Sequence, residues 1–278
     1  ELPIVLYLPA FYAKEVGLNI GLVGLVFLLA RFWDGITDPL IGWLTDSTRS
    51  RHGRRKPWVL IGAPLLVLTT WFLCNPPDTV GVLYLGVWAA LFYMAWTLVR
   101  IPYWSWGAEL SADYDERSKV TAFREGGSMI GSLIAVSAPL LLLSRDAPIR
   151  DVLSLISMSI IILVPLTVLP LGFYVNDALS PHKKKAINFL DGLQALRQNR
   201  PLIRFIIATG ILFLILGILN SMGIFLVEVA FGLPGGIYSL IVIEYITAIC
   251  IAPLIVRLAS RFGKHSVLSA GIGALFCT

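Results

Sequence analysis

Nine long apolar segments with short polar connections constrain this sequence more than any other feature. They cover about residues 1–13, 20–44, 57–75, 80–108, 122–143, 151–175, 202–230, 236–258 and 266–278. A helix that crosses a bilayer needs about 20 predominantly apolar residues. Backbone polar groups in hydrocarbon must bond within their own segment, which favours helices. Hydrophobic residues form 57% of the chain and charged residues 14%, unlike a soluble domain. We predict an all-α membrane protein with about nine transmembrane helices, the first and last of them truncated.

Lysine and arginine concentrate in alternate connections between these segments. The connections after the second, fourth, sixth and eighth segments are rich in both residues, and the intervening connections are poor in them. Cytoplasmic loops carry such an excess. We therefore expect a multi-pass protein of the inner (plasma) membrane with a cytoplasmic N-terminus. The net charge of +5 then reflects membrane topology, and we expect no nucleic-acid partner.

The longest connection separates two predicted halves. It covers residues 176–200 and contains PHKKK followed by AINFLDGLQALRQNRP, whose apolar residues recur at helical spacing. This pattern predicts an amphipathic helix on the cytoplasmic face. We expect a six-helix half in 1–175, a linker in 176–200 and the start of a second half in 201–278. An internal repeat supports this division, because PLIGWLTDSTRSRHGRRKPWVLIGA from Pro39 resembles PLIVRLASRFGKHSVLSAGIGA from Pro253.

Two acidic residues, Asp34 and Asp38, lie near the middle of the second apolar segment. A carboxylate at the centre of a bilayer costs at least about 2.5–3.5 kcal/mol on insertion scales, so such residues usually serve a function. Arg31 shares their helix face, and a structural ion pair between Arg31 and Asp34 is the alternative interpretation. That pair leaves Asp38 without a partner. Together with the hydroxyl of Thr37, the two acids predict a site for Na⁺ or for one shared proton.

The fourth segment carries a basic residue, Arg100, deep in apolar sequence. We expect Arg100 to pair with Asp34 or Asp38 on a neighbouring helix, and a purely structural salt bridge is the alternative. Helical spacing places one stripe of aromatic and polar side chains together: Trp96, Thr97, Arg100 and Trp104. A flat aromatic ring beside charged donors is typical of sugar recognition, although aromatic residues also form interfacial belts.

Charged residues also flank the predicted cytoplasmic ends of the segments. Asp46 follows the second segment, and Arg54 and Arg55 precede the third, so we expect an ion pair that clamps these helices together as a cytoplasmic gate. Ordinary enrichment of positive charge explains the arginines but not Asp46. Arg124 and Glu125 lie near the cytoplasmic end of the fifth segment, where they are either functional or membrane-boundary charges. The three cysteines lie in apolar segments without metal-ligand spacing, so we expect no zinc site and no cofactor.

Three motifs carry a resemblance to a known family. RFWDGITDPLIGWLTDSTRSRHGRRKPW, RIPYWSWGAEL and DYDERSKVTAFRE resemble the glycoside–pentoside–hexuronide cation symporters, of the sodium:galactoside type, in the major facilitator superfamily. The resemblance covers essentially the whole chain. It implies twelve helices in two six-helix halves with alternating access, of which this chain spans late helix one to early helix nine.

The resemblance also implies roles for individual residues. Asp34 and Asp38 match the two cation-site acids of the family, and the neighbouring cation-site positions are matched by Thr37 and Thr97. Trp104 and Arg124 match sugar-site residues. Trp96 replaces a tyrosine.

Arg100 departs from the family pattern, because it replaces a sugar-binding aspartate. An arginine has no acceptor for sugar hydroxyls, but it binds carboxylates well. This replacement predicts either an acidic sugar such as a uronide or a built-in counter-ion for the acid pair.

From these observations we expect secondary active symport of a small solute, a glycoside or related sugar, with a monovalent cation. We expect the working unit to be a monomer in a lipid bilayer. A sodium-dependent lysolipid-type transporter of the same superfamily is one alternative. A membrane-embedded enzyme is another, but Asp38-Pro39 replaces the Ala-Arg of the phosphatidyltransferase motif. The chain has no G-x-x-x-x-G-K-[ST] motif, so ATP-driven transport is not expected.

Overall fold

The structure, a computed structural model, describes residues 2–48, 50–51, 53–111, 113–142, 148–175, 198–225, 231–232 and 236–277. Its regular structure within these residues is α-helical, and each of the nine predicted segments corresponds to a helix. The helices are α1 (Leu2–Lys14), α2 (Ile20–Ser47), α3 (Lys56–Cys74), α4 (Val82–Glu109), α5 (Tyr114–Leu142), α6 (Ile149–Tyr174), α7 (Arg200–Phe225), α8 (Gly236–Phe262) and α9 (Lys264–Cys277). The amphipathic helix predicted in the connection after α6 falls on residues 176–197, which lie outside the described residues.

Within the described residues, six helices are long and apolar enough to cross a membrane. They are Ile20–Ser47, Lys56–Cys74, Val82–Glu109, Ile149–Tyr174, Arg200–Leu219 and Leu240–Ala259. Helix α5 is not among them, although it contains residues 122–142 of the apolar segment predicted at 122–143. It begins earlier than predicted, because Asp113 caps a charged first turn by accepting from the amide of Glu116 at 3.0 Å.

The chain forms two compact units, and the first contains Glu1–Thr121 and Leu142–Leu214. Helix α4 packs against both α2 and α3, and α3 also packs against α6. Gly62 lets α3 approach α4 closely, since a Cβ at this position would lie 3.1 Å from the backbone of Leu98. Contacts between α2 and α4 advance along both helices in the same direction, from Arg31 with Tyr93 to Asp38 with Thr97, so these two helices run parallel. This arrangement brings polar side chains of α2 and α4 together in one unit.

The second unit contains Ala122–Leu141 and Ile215–Thr278. In it, α8 and α9 are joined at Gly263, which has a φ of +86°. Gly53, with a φ of +103°, lies at the corresponding place between α2 and α3. Both repeat copies therefore use a glycine in the left-handed region to turn the chain between helices. The division into two six-helix halves stays a prediction.

Candidate cation and solute site

The carboxylate pair of α2 meets one threonine of α4. The Oγ1 atom of Thr97 lies 2.9 Å from Oδ1 of Asp34 and 2.8 Å from Oδ1 of Asp38. The i, i+4 spacing of the two acids places them one turn apart on the same helix face. Thr97 is 1% exposed and Asp34 is 9% exposed, while Asp38 is half-buried. Three oxygen atoms from two helices thus form a compact cluster, which we call the acid–threonine cluster.

Thr97 has a single hydroxyl hydrogen for these two contacts with carboxylate oxygens. A hydroxyl donates one hydrogen bond, and an ionised carboxylate only accepts. If both acids are ionised, one of the two short oxygen–oxygen contacts therefore lacks a full hydrogen bond. A proton on one carboxylate, or a cation between the oxygens, satisfies the contact.

Thr37, the other predicted cation-site threonine, is buried beside this cluster. Its hydroxyl donates to the backbone carbonyl of Asp34 at 3.2 Å. This bond directs the hydroxyl hydrogen towards the helix backbone of α2. Among the described residues, Thr97 and not Thr37 is therefore the hydroxyl in contact with both carboxylates.

Arg31 approaches the acid–threonine cluster from the preceding turn of α2. Its Nη1 atom lies 3.9 Å from Oδ2 of Asp34, and its guanidinium carbon lies 4.9 Å from the ring centroid of Tyr93 on α4. The ion pair considered as an alternative interpretation is therefore present, beside the threonine contacts. The sequence prediction did not include Tyr93. Its position four residues before Thr97, on the same face of α4, was the available signal.

The expected ion pair between Arg100 and the acid pair does not form, and that prediction was wrong. The Arg100 guanidinium stacks on the ring of Trp104, with 4.3 Å from its carbon to the ring centroid. Trp104 lies four residues further along α4 and so occupies the adjacent place on the same face. Within the described residues, the guanidinium beside Asp34 is that of Arg31.

The predicted solute residues occupy several environments. Trp104 is exposed, whereas Trp96 is half-buried and its indole N–H has no hydrogen-bond partner among the described residues. Arg124 belongs to the second unit, on α5, where its Nη2 atom lies 2.8 Å from Oε1 of Glu125. The stripe on α4 thus offers a stacked guanidinium, an aromatic ring and a buried N–H donor.

The charges at the other end of α2 form a network with four members. Arg55 Nη2 lies 3.1 Å from Asp46 Oδ1 and 2.7 Å from Glu109 Oε1. Arg54 Nη2 also lies 2.7 Å from Glu109 Oε1. Arg55 is 5% exposed, so its charge is buried among these carboxylates.

The contact predicted between Asp46 and the arginines is present in this network, and its role as a gate stays a prediction. Glu109, which ends α4, was not predicted as a member. Its place in the motif RIPYWSWGAEL, at the end of a helix parallel to α2, was the available signal.

A bundle of long apolar helices with charged side chains packed between them is typical of a multi-pass membrane transporter. The sequence profile of the family described as "MFS/sugar transport protein" matches residues 1–278, and the chain belongs to this family of the major facilitator superfamily. The family consists of transporters and not of enzymes, and the symporter names of the relatives agree with this class.

Several similar proteins carry the name symporter. The uncharacterized symporter sll1374 of Synechocystis is 33% identical over 143 residues, covering 48% of this chain and 26% of the relative. The inner membrane symporter YicJ of Escherichia coli is 33% identical over 138 residues, covering 47% of this chain and 30% of the relative. The uncharacterized symporter YnaJ of Bacillus subtilis is 28% identical over 271 residues, covering 95% of this chain and 58% of the relative. The chain therefore spans less than two thirds of each of these relatives.

Proposed function

We propose that this chain belongs to a secondary active transporter that couples the symport of a sugar or related glycoside to a cation gradient. The observation that carries the proposal is the acid–threonine cluster, in which two carboxylates share one hydroxyl hydrogen. A buried group of this kind gains a proton or a cation readily, because its two carboxylates carry more negative charge than the guanidinium beside Asp34 offsets. The coupling ion is accordingly Na⁺ or H⁺, and no other cofactor takes part.

The composition of the cluster favours a monovalent ion. Oxygen ligands suit hard cations, and two ionised carboxylates beside the Arg31 guanidinium carry one net negative charge, which one monovalent ion neutralises. No group of three or more His, Cys, Asp or Glu able to hold a metal ion occurs among the residues that the structure describes. Binding of the ion would change the charge between α2 and α4, and this is the step that links the ion to alternating access.

The solute side of the proposal rests on the pair formed by Arg100 and Trp104. A guanidinium held over an aromatic ring keeps N–H donors at its edge, and these can bind a carboxylate in a bidentate manner. The Trp104 ring provides a flat surface for the apolar face of a sugar. We therefore propose an anionic sugar such as a uronide as the solute, with the Trp96 N–H as a further donor. The role of Arg124 stays the one that the family resemblance implies.

Transport by the full-length protein in proteoliposomes tests the function. A panel of neutral glycosides, uronides and lysolipids is offered with either a Na⁺ gradient or a proton gradient. Gradient-driven uptake of a uronide supports the proposal, and Arg100→Asp is expected to reduce it while permitting neutral glycosides. Arg204→Gln, on the exposed face of α7, is the control.

Other outcomes of this panel discriminate between the alternatives. Lysolipid uptake in place of sugar uptake would establish the lipid-transporter alternative. Uptake that responds to neither gradient would contradict cation coupling.

The orientation of the protein forms part of the proposal. We place the network of Asp46, Arg54, Arg55 and Glu109 at the cytoplasmic face, where it closes the ends of α2, α3 and α4 as a gate. We also place the N-terminus in the cytoplasm. We propose that the protein works as a monomer in the inner membrane. Labelling of a cysteine introduced at Ser50 with a membrane-impermeant reagent tests the orientation, because this residue lies in the basic connection. Labelling from outside intact cells would contradict it.

A further inference from the structure

The carboxylate of Asp34 has two occupied edges. Its Oδ1 atom faces the Thr97 hydroxyl at 2.9 Å, and its Oδ2 atom faces Arg31 at 3.9 Å. The guanidinium therefore faces the carboxylate oxygen of Asp34 that does not contact Thr97. Because the two edges differ, Arg31 can act on the charge of Asp34 without occupying the cluster.

The position of Arg31 is fixed by a second contact. A charge-assisted hydrogen bond between a guanidinium and a carboxylate has a length of about 2.7–2.9 Å, so the 3.9 Å separation is an ion pair without a short hydrogen bond. Tyr93 is 2% exposed, and its ring lies 4.9 Å from the guanidinium carbon. A buried ring has little freedom to move, so it provides a rigid surface for the charge of Arg31.

The two acids consequently differ in their compensating charge. Asp34 has a guanidinium beside it, whereas Asp38 has no ion-pair partner among the described residues and contacts only the Thr97 hydroxyl. With both acids ionised, Arg31 reduces the net charge of the group from two negative charges to one. One monovalent cation then neutralises the group.

We infer that Arg31 sets both the affinity and the valence of the cation site, and that Tyr93 is the positioning residue that holds it there. This inference rests on the proposed cation coupling. The bound cation neutralises the charge of Asp38. Asp34 also binds the cation through its Oδ1 atom, but Arg31 already offsets the negative charge of Asp34. Without Arg31, the two acids would attract a monovalent cation more strongly and would also accept a divalent one.

The test measures ²²Na⁺ binding to the purified full-length protein, with Ca²⁺ as competitor and choline as ionic-strength control. We expect Arg31→Gln to bind Na⁺ about tenfold more tightly, since a positive charge a few ångströms from the cation is removed. We also expect millimolar Ca²⁺ to displace Na⁺ from this variant but not from the parent. Arg31→Lys keeps the charge and should remain close to the parent.

A second pair of variants separates positioning from general packing. Tyr93→Phe keeps the ring and should leave Na⁺ affinity unchanged, whereas Tyr93→Leu should increase it by less than Arg31→Gln does. In the Arg31→Gln background, Tyr93→Leu should have no additional effect on Na⁺ affinity. A merely structural role of Tyr93 would instead reduce affinity in both backgrounds, and that result would overturn its assignment.

The remaining outcomes are distinguishable. If the parent binds Na⁺ and Arg31→Gln leaves the affinity unchanged or weaker, the inference about Arg31 is wrong and cation coupling stands. If Ca²⁺ fails to displace Na⁺ from Arg31→Gln, the assignment of valence is wrong. If the parent binds no Na⁺, proton-driven solute uptake is compared between the same variants, and an Arg31→Gln variant that matches the parent would overturn the inference. A parent that binds neither ion refutes the proposed function together with this inference.

Discussion

Replacement of Thr97 by valine tests the acid–threonine cluster most directly. Valine has nearly the shape of threonine, so the buried position stays filled while the hydroxyl is lost. Within the part of the chain that the structure describes, the change removes the one hydroxyl that contacts both Asp34 and Asp38, at 2.9 and 2.8 Å. A hydrogen bond to a charged group contributes about 1.5–3 kcal/mol, and about 1.4 kcal/mol corresponds to a tenfold change in a binding constant. We therefore expect cation affinity to fall by about 10- to 100-fold.

The assay is cation activation of solute uptake by the full-length protein, with the cation concentration for half-maximal uptake as the readout. Thr70→Val is the matched control, because Thr70 is also fully buried and its hydroxyl donates only to the backbone carbonyl of Leu66, at 2.7 Å. Thr97→Ser keeps the hydroxyl and should restore most of the affinity. Equal cation affinity of Thr97→Val and the parent would refute a role for this hydroxyl in the site.

Three further predictions concern the acids, the charge network and helix packing. Asp38→Asn should abolish cation-driven accumulation while leaving solute equilibration across the membrane measurable. Glu109→Gln should lower the free energy of unfolding by about 1 kcal/mol and the Tm accordingly, because the Glu109 side chain is 44% exposed and its ion pairs are partly screened. An unchanged Tm would show that the network adds no stability. Gly62→Ala should destabilise the protein by about 1–3 kcal/mol, because its Cβ would lie 2.9 Å from the side chain of Val99, whereas Gly86→Ala, with open space around it, should not.

The helices were predictable because membrane solvation acts on each segment locally. Apolar length determines whether a segment can span the bilayer, and the predicted segments match the observed helices closely. The start of α5 was the main difference. Its charged first turns lack the apolar signal, and the capping hydrogen bond of Asp113 to the amide of Glu116 extends the helix through them.

The members of the candidate site were predictable to a lesser degree. Asp34, Asp38 and Thr97 were chosen as cation-site residues, and the structure brings them into contact. Arg100 was expected at the acid pair, but it stacks on Trp104, and Arg31 takes the place beside Asp34. Whether Arg100 reaches the acid pair on α2 depends on how α4 is rotated about its axis, and helical spacing alone does not specify this rotation.

Local spacing and hydrophobicity in the sequence specified which segments form apolar helices and which residues share a face within each helix. The tertiary structure decided which faces meet. The parallel packing of α2 and α4 placed one hydroxyl between two carboxylates and brought Tyr93 under Arg31. It also joined Glu109 to a charge network that begins more than fifty residues earlier. These contacts depend on the relative rotation and direction of separate helices, which result from the packing of the whole unit and not from the order of residues along any one helix.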